Sequence, residues 1–221
     1  MRTVVFDLDG TLADTGADLI AAANACFQGL GHGDVLDPVT DRSTAFQGGR
    51  AMLKLGFERL NGAAQTGDID TQYPILLEAY AGAIDTHTTL YPGMVSAIEQ
   101  LLEDGYRTAI CTNKPERLAE LLMTRLGVRG LFGSLVGADT LPVRKPDPAP
   151  YFEAVTRARG VAEQSLLVGD TVTDRETARA AGVASVLVTF GPDGDAVSAL
   201  EPEALLAHYD DLPEVVARLI G

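Results

Sequence analysis

The stretch Thr3-Val4-Val5-Phe6-Asp7-Leu8-Asp9-Gly10-Thr11 decides how the rest of the chain is read. A short run of β-branched and aromatic residues, with no polar alternation, stops at an aspartate. Strands with one wet face alternate apolar and polar residues, whereas strands covered on both faces of a parallel sheet read as continuous apolar runs. The segment therefore predicts a buried parallel strand, with Asp7 and Asp9 at its C-terminal end.

Runs of the same kind recur down the chain. Tyr106 to Cys111 ends at Thr112-Asn113, and the weaker run Ser134 to Gly137 ends at Ala138-Asp139. Ser165 to Gly169 leads to Asp170, and Val183 to Phe190 ends at Gly191. Between them, helical periodicity predicts helices over Met94 to Leu102, Glu116 to Leu126, Ala149 to Ala158 and Asp174 to Ala181. Helix-start signals stand at Pro115, Pro148 and Asp174. Leu212 to Ile220 reads as a short amphipathic helix that covers an edge. Strands alternating with helices predict a doubly wound α/β parallel sheet with right-handed crossovers.

One region breaks the alternation. From about Thr15 to Thr86 only helical patterns occur, over Asp18 to Leu30, Ser43 to Leu60 and Asp70 to Ile84. This predicts a small all-helical insert, residues 15–86, between the first and second strands of a core formed by 1–14 and 87–221. Gly16 and the Tyr91-Pro92-Gly93 turn flank the insert as candidate hinges.

Composition narrows the function classes. The 221 residues are 46% hydrophobic and 22% charged, and the formal net charge is −14. That field repels a phosphate backbone, and no local basic patch offsets it, which argues against nucleic-acid binding. No apolar run approaches the roughly 20 residues of a membrane helix. An acidic residue as early as Asp7 interrupts any leader-type apolar core, so a cytoplasmic location is expected. Cys26 and Cys111 read as buried thiols rather than a disulfide, and no Cys/His cluster suggests zinc. An acidic protein acting on a small anion must neutralise it locally, which directs attention to a cation and to particular lysines.

In open α/β sheets ligands bind outside the carboxyl ends of the strands. Every one of those ends carries polar chemistry here: Asp7-Leu8-Asp9-Gly10-Thr11, Thr112-Asn113-Lys114, Arg144-Lys145-Pro146-Asp147 after the third strand, and Gly169 to Asp174. In extended backbone, Asp7 and Asp9 project to the same side. Two such carboxylates, joined by Asp170, repel one another unless a cation or shared proton relieves them. An oxygen-rich site of this kind suits Mg²⁺. For any one aspartate, ending a strand or capping a helix is an equally good account. For three together with Lys145 it is a poor one. Pro146, Pro148 and Pro150 would stiffen the loop carrying Lys145, although lysine is ordinarily a solvated surface residue. Thr112 offers a hydroxyl to a phosphate. Asp174 is placed both to cap the following helix and to orient a metal shell.

Asp7-Leu8-Asp9-Gly10-Thr11-Leu12 resembles the nucleophile motif of the haloacid dehalogenase superfamily. Thr112, Lys145 and Gly169-Asp170-Thr171-Val172-Thr173-Asp174 resemble its second, third and fourth motifs in the expected order, so the resemblance spans essentially the whole chain. The helical insert resembles the small cap of the subfamily that includes phosphoglycolate phosphatases. The resemblance implies that Asp7 attacks phosphorus to form an aspartyl-phosphate, and that Asp9 serves as acid and then base. It implies Mg²⁺ bound by Asp7, the Asp9 backbone carbonyl and Asp170, with Asp174 acting through water. Thr112, Asn113 and Lys145 would hold the phosphoryl oxygens, with Gly10 and Thr11 also lining the substrate site. Asp9 favours phosphoryl transfer, since dehalogenases of the superfamily typically lack this aspartate and the metal.

Gln47-Gly48-Gly49-Arg50 resembles the glycine-containing specificity loop of phosphoglycolate phosphatases, and Arg50 could pair with a substrate carboxylate. A helix-surface arginine beside a glycine-rich turn is an equally good account. The expected substrate is a small phosphorylated metabolite, with 2-phosphoglycolate first. A sugar-phosphate mutase of the β-phosphoglucomutase type, or a non-catalytic binding relative, are the alternatives. The sequence leaves monomer and homodimer both open.

Overall fold

A computed structural model describes all 221 residues. Eight strands are present: β1 (Thr3–Phe6), β2 (Ala13–Asp14), β3 (Thr89–Leu90), β4 (Arg107–Cys111), β5 (Ser134–Val136), β6 (Ser165–Gly169), β7 (Ala184–Val188) and β8 (Ala204–Leu206). The α-helices are α1 (Gly16–Gly29), α2 (Arg42–Phe46), α3 (Gly49–Asn61), α4 (Thr66–Gly82), α5 (Met94–Glu103), α6 (Glu116–Arg125), α7 (Ala149–Arg157), α8 (Val172–Ala181) and α9 (Leu212–Ile220). The chain divides into two compact units, Met1–Ala13 with Leu90–Gly221, and Asp14–Thr89.

The first unit is built on a six-stranded sheet in the order β5-β4-β1-β6-β7-β8, parallel at every pairing. β1 pairs Val5 with Ala109 on one side and with Leu167 on the other. The chain proceeds outward from β1 through β4 to β5, then returns to β6 and leaves the other way. The strand order therefore reverses beside β1, and the crevice at that switch point lies off the ends of β1, β4 and β6. All four residues of β1 are fully buried, which is why its sequence shows no alternation. On one sheet face Val5, Ala109, Cys111, Val136 and Leu167 pack with Tyr151, Ala154 and Val155 of α7 and Ala178 of α8.

Two sequence expectations change. The first is β8, a sixth sheet strand that was not anticipated. Three residues between Glu203 and Ala207 are too few to carry a periodic signal. The second is the single helix expected over Ser43 to Leu60, which is two helices, α2 and α3. Gly48 interrupts it at φ +98°, a backbone region that costs residues bearing a Cβ and that glycine enters freely.

The second unit is helical, with α1 to α4 packed around Phe27 and Phe57, whose rings meet edge-to-face at 5.4 Å. Gly56 permits that approach, since a Cβ there would lie 2.1 Å from the Phe27 ring. The buried carboxylate of Asp18 accepts the backbone N–H groups of His87 and Thr88 and the Thr88 hydroxyl at 2.8–3.0 Å. This ties the first turn of α1 to the segment that leaves the unit.

Candidate active site

The end of β1 is held open as a turn. The Asp7 N–H donates to the Val168 carbonyl at 2.8 Å, extending the β1–β6 ladder one step. The Leu8 carbonyl then collects the N–H groups of Thr11, Leu12 and Ala13 at 3.3, 2.9 and 3.2 Å. Gly10 sits inside this turn at φ +85°, where a Cβ would also fall 2.3 Å from Asp170 Oδ2. Backbone conformation and close approach both demand glycine at that position. The Thr11 hydroxyl donates to Asp170 Oδ1 at 2.7 Å, and the buried Tyr209 hydroxyl donates to the Thr11 carbonyl at 2.7 Å.

The end of β6 supplies the facing wall. Thr171 and Asp174 form a capping box at the start of α8. Asp174 Oδ2 accepts the Asp170 and Thr171 N–H groups, each at 3.2 Å, and the Thr171 hydroxyl at 2.8 Å. Its other oxygen, Oδ1, accepts from Lys145 Nζ at 2.6 Å. Both oxygens of Asp174 are thus engaged, and the capping residue also anchors the lysine. Asp170 is fully buried, and its Oδ2 has no hydrogen-bond partner.

Lys145 reaches in from the loop after β5. Only 3% of its surface is exposed, and Nζ lies 2.9 Å from Asp7 Oδ1. Asp7 Oδ1 is otherwise without an aligned hydrogen bond. The Asn113 amide donates to the Lys145 carbonyl at 3.0 Å, so Asn113 fastens the end of β4 to the lysine loop. The Lys145–Pro146 peptide is cis.

The electrostatics follow from burial. Asp7 is pushed up to about 6 by burial first, with Lys145 opposing the rise and Asp174 and Asp9 adding to it. Asp170 is raised well above the carboxylate range by burial, then by Asp7 and Asp174. For Lys145 burial disfavours the charge, yet Asp174 and Asp7 outweigh it and hold the ammonium above its ordinary range. Cys111 is pushed up to about 12 by burial, so it is a core thiol and not a nucleophile. Carboxylate oxygens of Asp7, Asp170 and Asp174 lie within 4.8 Å of one another. Three acids around one buried ammonium, with Asp170 Oδ2 unsatisfied, form a hard oxygen site short of positive charge. A divalent cation fits that deficit.

The remaining sequence candidates fall in two places. Asp9 Oδ1 lies 2.8 Å from Lys114 Nζ, and Thr112 turns its hydroxyl oxygen toward the Lys114 N–H at 3.2 Å. Both belong to the strand-end cluster. Gly48, Gly49 and Arg50 lie in the helical unit. A Cβ on Gly49 would meet Leu76 and Tyr73 at 3.0 Å. Arg50 pairs with Asp70 at 2.7 Å and stacks over the Tyr73 ring at 4.9 Å. The sequence reading gave two residues of the cluster no role, although it placed Lys114 at the end of its strand. Lys114 had a legible signal, its place beside Asn113 at a strand end, whereas Tyr209 had none, because its role depends on a contact across 198 positions.

The sequence profile of the haloacid dehalogenase-like hydrolases matches residues 4–188. The chain belongs to that family. Among its relatives, the phosphoglycolate phosphatase of Mesorhizobium japonicum is 36% identical over 98% of this chain and 96% of its own. That of Agrobacterium fabrum is 34% identical over 98% and 93%. Solved haloacid dehalogenase-like structures share the fold. A predicted phosphoglycolate phosphatase from Haemophilus somnus superposes with a TM-score of 0.86 at 23% identity, covering 97% of both chains.

Proposed function

We propose that this chain, a phosphatase of the haloacid dehalogenase-like family, hydrolyses 2-phosphoglycolate with Mg²⁺ through an aspartyl-phosphate on Asp7. The observation that carries the chemistry is the cluster itself: Asp7 buried against Lys145, with Asp170 Oδ2 unpartnered beside it. Full-length relatives that carry the phosphoglycolate phosphatase name support the substrate.

In this reading Asp7, Asp170 and the Asp9 backbone carbonyl hold the ion, with Asp174 behind them fixing Lys145. When bound, Mg²⁺ supplies charge that offsets the phosphoryl oxygens. The Asp7 carboxylate attacks phosphorus, the bond to the substrate oxygen breaks, and Asp9 gives its proton to that leaving oxygen. In the second step Asp9 takes a proton from water, whose oxygen bonds phosphorus as the bond to Asp7 breaks, releasing phosphate. Burial strips water from Asp7, which leaves its carboxylate poorly solvated and ready to bond. Lys145 offsets the charge of the phosphoryl group, the Thr112 hydroxyl orients it, and Asn113 holds the Lys145 backbone in place.

The test is phosphate release from a panel of phosphorylated metabolites at equal concentration, with Mg²⁺ and with EDTA. The expected result is metal-dependent release, fastest from 2-phosphoglycolate and abolished in Asp7→Asn. Full activity in Asp7→Asn overturns the mechanism, and a faster substrate overturns the substrate assignment. Interconversion of a sugar phosphate with little free phosphate would make the enzyme a mutase instead.

A further inference from the structure

The turn after β4 buries a second lysine that the chemistry above leaves without a task. Lys114 is 6% exposed as a residue. Its backbone is pinned from both sides: its N–H donates to the Thr112 hydroxyl at 3.2 Å, and its carbonyl accepts from Ala138 N–H at 2.9 Å. Thr112 itself is fixed by its N–H bond to the Val136 carbonyl at 3.0 Å, and Pro115 ends the turn by opening α6. The chain is therefore committed to carrying this side chain inward. Lysine is seldom buried without a partner, and here Nζ meets Asp9 Oδ1 at 2.8 Å, with the lysine side chain 4% and the aspartate side chain 18% exposed.

We propose that Lys114 is a positioning residue for Asp9. Its ammonium fixes the aspartate rotamer, so that the carboxyl stays beside Asp7 where the leaving oxygen and then the attacking water must pass. The division of labour is geometric. Lys145 stands between Asp7 and Asp174, while Lys114 stands on Asp9, so each reacting carboxylate has its own buried lysine. A side chain on a strand-end turn has several rotamers open to it, and a displacement of about 1 Å at a reacting group can cost on the order of a hundredfold in rate. A second carboxylate anchor of this kind would explain why the residue after Asn113 is a lysine directed inward.

The inference rests on the acid–base reading of Asp9, and the experiment separates the two. First-turnover rates of leaving-group release, which read phosphoryl transfer alone because the second step needs Asp9 whichever ester was used, are measured for Asp9→Asn, Lys114→Met, Lys114→Arg and the Asp9→Asn/Lys114→Met double variant on 2-phosphoglycolate and on p-nitrophenyl phosphate. The alkoxide leaving group needs the proton from Asp9, whereas nitrophenolate leaves without it. Lys114→Met should lower the first-turnover rate about 10- to 100-fold on 2-phosphoglycolate and less than about tenfold on the aryl ester. Lys114→Arg should restore part of the loss, and in the Asp9→Asn background the methionine should cost nothing further. Equal losses on both esters, a rise in KM alone, or additive losses in the double variant overturn the proposal, because a lysine that binds the phosphoryl group would give those results. If Asp9→Asn leaves the alkyl-to-aryl ratio unchanged, the acid–base reading of Asp9 falls, and this inference with it. If Lys114→Met does not fold, Lys114→Gln on the same ester pair serves in its place.

Discussion

Asp7→Asn should do two opposite things, and the size of the second can be worked from the structure. As the proposed nucleophile, Asp7 is lost to catalysis. As a buried group it is costly to the fold. Its carboxyl is raised from 3.8 to about 6, so the folded state binds the proton more tightly than the unfolded chain does. A raised folded value means the penalty is absent below pH 4, grows as pH rises from 4 to 6, and is complete above 6. At about 1.4 kcal/mol per unit, a rise of about two units destabilises the folded state by about 3 kcal/mol at pH 8. Asparagine keeps the shape of the protonated side chain, and Lys145 retains Asp174 as its partner at 2.6 Å. Metal-free Asp7→Asn should therefore be about 3 kcal/mol more stable than the wild type at pH 8 and only about 1 kcal/mol more stable at pH 4.5. Urea unfolding in EDTA at the two pH values measures this, and added Mg²⁺ should narrow the gap at pH 8 by stabilising the wild type. A variant no more stable than wild type at pH 8 would refute the idea that this site stores burial cost in Asp7.

Two further outcomes are expected. Gly10→Ala puts a Cβ 2.3 Å from Asp170 Oδ2 on a residue at φ +85°, so the Mg²⁺ needed for half-maximal activity should rise about 10- to 100-fold; an unchanged Mg²⁺ titration contradicts the site. In the helical unit, Arg59 clamps Asp41 with two bonds of 2.6 Å, chiefly through which the Asp41 carboxyl is held below its usual range. A lowered folded value gives stability that is complete above pH about 4 and lost as pH falls through the folded value. Asp41→Asn should therefore reduce hydrogen-exchange protection in α2 and α3 by about 1 kcal/mol at pH 7, with a smaller difference at pH 3.5, and a difference independent of pH would contradict the pairing.

The α/β core was legible because parallel strands buried on both faces need continuous apolar runs, and those of β1 and β6 match the observed strands from end to end. β8 was not, because three residues carry no period and its pairing with β7 is a long-range event. Gly48 shows a related limit. Nothing in a helical pattern states which glycine will adopt φ +98° and split it.

At the candidate site the sequence named Asp7, Asp9, Thr112, Asn113, Lys145, Asp170 and Asp174, because strand-end position and residue chemistry are local properties. It could not assign partners. The local sequence is equally compatible with a solvent-facing Lys145; the structure buries it between Asp7 and Asp174. Asp174 could be read locally as a cap, yet only the fold turns its second oxygen onto that lysine. Lys114 on Asp9 and Tyr209 on the Thr11 carbonyl belong wholly to tertiary structure. Sequence determines which groups arrive at the strand ends, because a strand carries its own apolar pattern and its own terminus. Which of those groups pair, which are stripped of water and which atom is left unsatisfied are decided only when strands distant along the chain become neighbours, since burial and charge coupling depend on distances that no single segment contains.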